Sequence, residues 1–161
     1  MIRELHDNDA AAVLDIYRQG LDTGEASFET EPPDWAGWCK KYHDFCRLVF
    51  ERDGEVLGWA ALAPVSARNC YRGVAEVSIY VATAAAGGGI GSQLMAAIVE
   101  ASEKNGIWTL YSSIFPENEA TRQLHLKHGF REVGIRERIA QRDGRWRDTL
   151  ILERRSTKVG I

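Results

Sequence analysis

Apolar residues along the chain recur sometimes every three or four positions and sometimes every second one, and each change of period marks a new element. Ile2 to Leu5 reads as a short strand. Asp7 or Asn8 then caps a helix whose apolar stripe is Ala10, Val13, Leu14, Tyr17 and Leu21. Thr23 to Pro33 is a loop, with Phe28 set between Ser27 and Glu29. Pro32 and Pro33 open a second helix over Asp34 to Phe45. Leu48 to Arg52 and Val56 to Ala63 flank Asp53-Gly54, a hairpin dipeptide. A loop from Pro64 to Gly73 leads to a strand over Val74 to Val81. The helix from Gly89 to Lys104 turns Ile90, Leu94, Ala97, Ile98 and Ala101 inward and stops at Asn105-Gly106. Ile107 to Ile114 is a strand and Glu117 to Lys127 a helix; Phe130 to Arg138 and Trp146 to Leu152 are strands joined around Asp143-Gly144.

This order, β-α-α-β-β-β-α-β-α-β-β, contains no repeat and no linker. It predicts one domain over residues 1–161 of the α+β (mixed α/β) class. The sheet should be largely antiparallel at first, with a parallel β-α-β crossover between Glu76 and Ile114 and helices covering it.

Composition narrows the function classes. At 161 residues, 45% apolar and 27% charged, the chain is an ordinary globular one. A net charge of −3 argues against a nucleic-acid partner. Arg136, Arg138, Arg142, Arg145 and Arg147 are interleaved with Glu and Asp and read as a solvated strand surface. No apolar run approaches the length of a membrane span and the first residues lack a signal region, so no membrane partner and a cytoplasmic location are expected. Cys39, Cys46 and Cys70 cannot all pair, and Cys39 and Cys46 fall on one face of the second helix, which suits packing thiols in a reducing compartment. No spacing suggests a metal. His6 and His43 read as surface residues, and His128 as a charge at a helix C-terminus.

Two features carry chemistry. Gly87, Gly88, Gly89 and Gly91 stand before a helix, either as a plain tight turn or as a cradle of backbone N–H groups for a phosphate. The pattern fits neither the dinucleotide nor the ATP fingerprint, and no basic side chain lies between Val81 and Gln93. In the preceding strand, Glu76 shares a face with Val74, Ser78 and Tyr80, opposite Ala75, Val77, Ile79 and Val81. A carboxylate there is either paired to a neighbouring Arg on an exposed face or a general base raised in pKa by burial. On their own Asn118 reads as a helix cap, and His125 as a group bonded to a backbone carbonyl.

Residues 76–130 resemble the core of the GNAT acyl-CoA N-acyltransferase superfamily: strand, Q/R-x-x-G-x-G/A, helix, strand, then N-x-x-x-x-x-L-H/Y-x-x-x-G-F. Here these stand as Ala86-Gly87-Gly88-Gly89-Ile90-Gly91, and as Asn118 with Leu124, His125, Gly129 and Phe130. The chain is similar, more narrowly, to the phosphinothricin and methionine sulfoximine/sulfone N-acetyltransferases. That likeness lies in Ala26-Ser27-Phe28-Glu29-x-x-Pro32, in Arg68-x-x-Tyr71 ahead of Ala75–Val81, and in Gly144-Arg145-Trp146-x-Asp148.

The resemblance implies the GNAT fold, with a mostly antiparallel central sheet and helices on both faces. It also implies an acetyl-CoA-dependent N-acetyltransferase acting by direct attack on the α-amine of a small amino acid analogue. Ile79, Tyr80 and Val81 would bind the pantetheine arm and the thioester through their backbone. Gly87, Gly88, Gly89, Ile90, Gly91 and Ser92 would wrap the pyrophosphate, and Asn118 would bond the cofactor near the thioester. Glu76 would be the base and His125, or water, the acid. Phe28, Glu29, Arg68, Asn69, Cys70, Tyr71 and Arg72 would form the acceptor site, the arginines suiting an anionic group. A homodimer is implied, with the hairpin around Trp146 as one interface candidate and core packing as the rival account of that residue. Two departures stand out: Ala86 replaces the usual Gln or Arg, and Gly88 a frequent Lys or Arg. Their loss should weaken cofactor binding by about 1–3 kcal/mol. Other amines (a protein N-terminus, a polyamine, an aminoglycoside) and a non-catalytic CoA sensor are the alternatives.

Overall fold

Alternation along the central strands divides the interior into two cores, one on each side of a single sheet. The computed structural model describes residues Met1–Ile161. Its strands are β1 (Ile2–Glu4), β2 (Leu48–Arg52), β3 (Glu55–Pro64), β4 (Val74–Val81), β5 (Thr109–Ile114), β6 (Arg131–Arg142) and β7 (Arg145–Arg155). The helices are α1 (Ala10–Asp22), α2 (Trp35–Lys41), α3 (Ile90–Lys104) and α4 (Glu119–Lys127). On β3, Trp59 and Ala61 meet Val13, Tyr17 and Leu21 of α1 and Trp38 of α2. Ala60 and Leu62 face the other way, onto Ile90, Leu94, Met95 and Ile98 of α3.

The seven strands lie in the order β1-β2-β3-β4-β5-β7-β6, all neighbours antiparallel except β4 and β5. The mostly antiparallel sheet, its one parallel crossover and its helices on both faces match the sequence expectation. The crossover is also where the sheet opens. Pairing of β4 with β5 runs only from Val74–Thr109 to Glu76–Tyr111, although the strands continue to Val81 and Ile114.

Three expectations need correction. The second helix ends at Lys41 rather than Phe45. Tyr42 turns extended, and the Arg47 guanidinium closes the helix end by donating to the carbonyls of Cys39 (2.8 Å), Tyr42 (3.0 Å) and His43 (2.6 Å). Cys39 and Cys46 therefore share no helix face: Cys46 lies beyond the helix at φ 56° and packs into the α3-side core, while Cys39 packs on the α1 side. His43 is not a surface group, because its Nε2 is buried and its ring stacks on Phe45. The third correction concerns Arg142 and Arg147. Both side chains are largely buried and bind the loop between α1 and α2, where a solvated strand surface was expected.

Candidate active site

A cleft of about 580 Å³ opens where β4 and β5 part. Val77–Val81 and Ser112–Ile114 form its walls at the sheet, and the α1–α2 loop, α4 and β6 close it around Phe28, Asn118, His125 and Arg136. The direction of the backbone groups on β4 follows from one bond. Ala82 donates its N–H to Leu57 O (2.8 Å), in register with the β3–β4 pairing of Val81 with Gly58. Residues 76, 78 and 80 therefore exchange their bonds with β3, and residues 77, 79 and 81 turn theirs toward β5. Beyond Glu76–Tyr111 β5 has moved away, so Ile79 and Val81 present their backbone groups to the cleft. Tyr80 differs from the expectation: its backbone belongs to β3, and its ring stacks on Trp59.

At the end of β4 the chain makes a short 3-10 turn over Thr83–Ala85, which Gln19 Oε1 anchors by accepting the Thr83 N–H (2.8 Å). Gly87 and Gly89 then take φ of 80° and 78°, a conformation that other residues adopt only under strain. Gly89 is the N-cap of α3, and Gln93 is the first residue to close onto it (N–H to Gly89 O, 3.1 Å). From Gly87 to Ser92 no backbone N–H has an acceptor in the protein. Consecutive donors at a positive helix end suit a pyrophosphate, so these residues fit the CoA diphosphate without a basic side chain. The Ser92 hydroxyl is engaged elsewhere, bonded to His128 Nε2 at 2.8 Å, which ties α3 to the end of α4.

Glu76 lies at the point of opening, beside Tyr111 in register. Its carboxylate forms no ion pair and no hydrogen bond with the protein, unlike the paired surface Glu that was the alternative reading. Burial pushes its carboxyl above the usual range, the Lys41 ammonium opposes this, and the Glu29 carboxylate adds to it. Lys41 donates to Glu29 Oε1 (2.9 Å) and to Tyr17 Oη (3.1 Å), and the Tyr17 hydroxyl donates to Glu29 Oε2. Burial alone would raise the Glu29 carboxyl, but these two donors hold it below the usual range. Glu29 thus stands one residue back from the cleft, as the partner of Lys41.

His125 is 5% exposed and lines the cleft. Its Nδ1 is 2.6 Å from Thr121 O, so Nδ1 carries the proton and donates, leaving Nε2 as a lone pair. Burial lowers its pKa, more than the Thr121 bond raises it. Asn118 is a helix cap that also lines the cleft. Its Oδ1 caps α4 by accepting the Thr121 N–H (3.3 Å), and its amide donates to Glu25 O (3.4 Å) at the cleft edge.

Arg68, Asn69, Cys70, Tyr71 and Arg72 are exposed and lie outside the cleft wall. Arg68 stacks over Tyr71, and Arg72 over Trp108 while donating to Asn69 O (3.2 Å). Beside Glu76 the cleft is lined by Phe28, Lys41, Tyr111, Arg136, Ile139 and Thr149. Apart from Phe28, sequence reasoning missed these residues. Tyr111 could have been reached through its strand register with Glu76; Arg136 carried no sequence signal.

Residues 10–130 match the acetyltransferase (GNAT) family model. The chain is 35% identical over 160 residues to a phosphinothricin N-acetyltransferase of Alcaligenes faecalis, a match covering 95% of this chain and 81% of that protein. A crystal structure of ribosomal-protein-alanine N-acetyltransferase from Brucella melitensis is 30% identical, with TM-score 0.89 over 97% of this chain and 99% of the other. The phosphinothricin acetyltransferase of Sinorhizobium meliloti, in complex with AcCoA, is 26% identical, with TM-score 0.89 over 99% and 90% of the two chains. No helix of the present chain is long and apolar enough to cross a membrane. The chain belongs to the acetyltransferase (GNAT) family and is an N-acetyltransferase related to the phosphinothricin acetyltransferases.

Proposed function

We propose that this enzyme acetylates the α-amine of a small amino acid analogue of the phosphinothricin, methionine sulfoximine or methionine sulfone type, with Glu76 as the base. The observation that carries this reading is Glu76 itself: an unpaired, half-buried carboxylate with a raised pKa where the two strands separate. Acetyl-CoA, when bound, supplies the acetyl group as an activated thioester. Backbone donors from Gly87 to Ser92 hold its diphosphate, and those of Ile79 and Val81 face the pantetheine and the thioester oxygen. Glu76 accepts a proton from the acceptor ammonium, directly or through a water, and frees the nitrogen lone pair. The nitrogen attacks the carbonyl carbon, the C–S bond breaks, and the second proton, shed by the acylated nitrogen, passes to the departing thiolate. Water is the better carrier for that last step. A His125 held neutral, with its one proton on Thr121 O, has none to offer at Nε2.

A thiol-release screen tests the substrate class. With acetyl-CoA saturating, phosphinothricin, methionine sulfone or methionine sulfoximine should give the highest kcat/KM, ahead of the standard amino acids, spermidine and a peptide with N-terminal Ala. Release with the Ala peptide and none of the three analogues would instead support the second reading, favoured by the Brucella likeness, of a protein N-terminus as acceptor.

The free thiols Cys39, Cys46 and Cys70 keep the cytoplasmic expectation in this reading. A homodimer is also part of it. The edge strand β6 and its turn expose Val133 (49%), Ile135 (58%) and Trp146 (53%), which removes core packing as the account of Trp146. Sedimentation velocity should find about twice the 18.0 kDa chain mass. Ile135→Lys should return it to one chain; a monomeric parent protein would overturn the dimer.

A further inference from the structure

Between Arg136 and Ala140, strand β6 departs from its partner. Arg136 pairs with Thr149 and Ala140 with Arg147, so β6 takes four steps (136 to 140) where β7 takes two (149 to 147). Arg138 sits at φ 48° in this bulge, and its backbone N–H donates to Asp148 Oδ1 at 2.7 Å. An irregularity of this kind bends a strand and re-aims its side chains, and such features cluster beside active sites. Here its effect is visible. Although β5 and β7 separate β6 from β4 in the sheet, Arg136, Ile139 and Ala140 line the same cleft as Glu76, together with the buried Thr149.

The charges around the cleft single out one of these residues. Lys41 is held by Glu29 and Tyr17, and Glu25 at the rim is held by Arg147 (3.0 Å). The Arg136 guanidinium forms no ion pair and no hydrogen bond with the protein, so it is the cation of the cleft wall that no protein carboxylate neutralises. A guanidinium in that state binds a carboxylate through two parallel N–H donors.

We propose that Arg136, presented by the bulge that Asp148 fixes, binds the carboxylate of the acceptor while Glu76 takes the proton from its amine. This rests on the amino-acid reading above and adds a specificity-determining residue to it. It also gives the Gly144-Arg145-Trp146-x-Asp148 segment a task, since Asp148 acts as a positioning residue through Arg138.

The test compares methionine sulfone with its α-carboxamide, which keeps the amine and side chain and loses only the anion. The intact enzyme should prefer the free acid. Arg136→Gln should raise KM for the acid about 10- to 50-fold and for the amide less than about threefold, with KM for acetyl-CoA unchanged. Asp148→Ala should lower the acid-to-amide preference in the same direction, and Asp148→Asn, which keeps the accepting oxygen, should restore most of it. Equal losses on both acceptors, or none, in Arg136→Gln would overturn the proposal and leave the amino-acid reading intact. An unchanged preference in Asp148→Ala would overturn the part given to the bulge. An intact enzyme that acetylates neither compound, while acting on spermidine or a peptide or on nothing tested, overturns the amino-acid reading and this assignment with it.

Discussion

Glu76→Gln should lower kcat by about 10²- to 10⁴-fold, the usual yield of a positioned general base. The affinity for acetyl-CoA should stay within about twofold, because the donors proposed for the diphosphate, Gly87–Ser92, are backbone groups that follow the end of β4, away from Glu76 near its start. A pH series makes the assignment specific. The parent enzyme should gain kcat with rising pH through the raised pKa of Glu76, and the Gln variant should lose that acidic limb. Stability should move the other way. A carboxyl whose folded pKa is raised binds more protons folded than unfolded between the two pKa values. Its contribution is therefore fully present below the unfolded value and is lost as pH rises through the folded one. Above the folded pKa the ionised, desolvated Glu76 costs stability, and Gln, which cannot ionise, removes that cost. The variant should thus be nearly inactive and at least as resistant to thermal unfolding. An unchanged kcat–pH profile, or a lower Tm with normal turnover, would remove Glu76 from the role of base.

The frame of this site was legible in the sequence because it rests on local rules. Period-two alternation placed Glu76 and Ser78 on one face of β4 and Ala75, Val77 and Ile79 on the other, where they pack on α3. The glycine cluster was legible as a turn or a cradle, and the structure leaves it only backbone donors to offer in place of basic groups at Ala86 and Gly88. Its donors are backbone groups fixed by two left-handed glycines, and a side chain at 88 would meet Ala85 O at 3.3 Å. What stayed hidden depends on register and irregularity. Period two cannot say which β4 residues lose their β5 partners; that depends on where the strands part, after Tyr111. The aim of Arg136 depends on two extra residues in β6, which no local composition announces. The acidic neighbours of Arg142 and Arg147 suggested a solvated surface, but both guanidinium groups reach the loop from 23 to 33 across more than a hundred residues of chain.

Arg142 carries the second large effect. Its side chain is 8% exposed and donates to three backbone carbonyls: Leu21 O (2.8 Å), Ser27 O (2.6 Å) and Glu29 O (2.6 Å). Those carbonyls belong to the end of α1 and to the loop that brings Phe28 to the cleft, where its ring meets Phe115 edge-on at 5.0 Å. The loop has no ladder of its own, so one planar fork replaces the bonds a strand would have made. Arg142→Ala leaves the three acceptors without a partner and the loop without its tie. The expected loss is about 3 kcal/mol, allowing for partial rehydration of the freed carbonyls. For a chain of this length that corresponds to a fall in Tm of about 6–12 °C. Arg142→Lys should recover little, because a single ammonium on a flexible stem cannot serve three carbonyls set in a fork. Kinetics should separate anchoring from general damage. Below the new Tm, acceptor KM should rise as Phe28 loses its position, while KM for acetyl-CoA stays close to the parent value because the glycine cradle is tied to α1 through Gln19 rather than through this loop. Calorimetry and initial rates at a common temperature read both quantities. A Tm within about 2 °C of the parent would mean that the loop holds its place by packing alone.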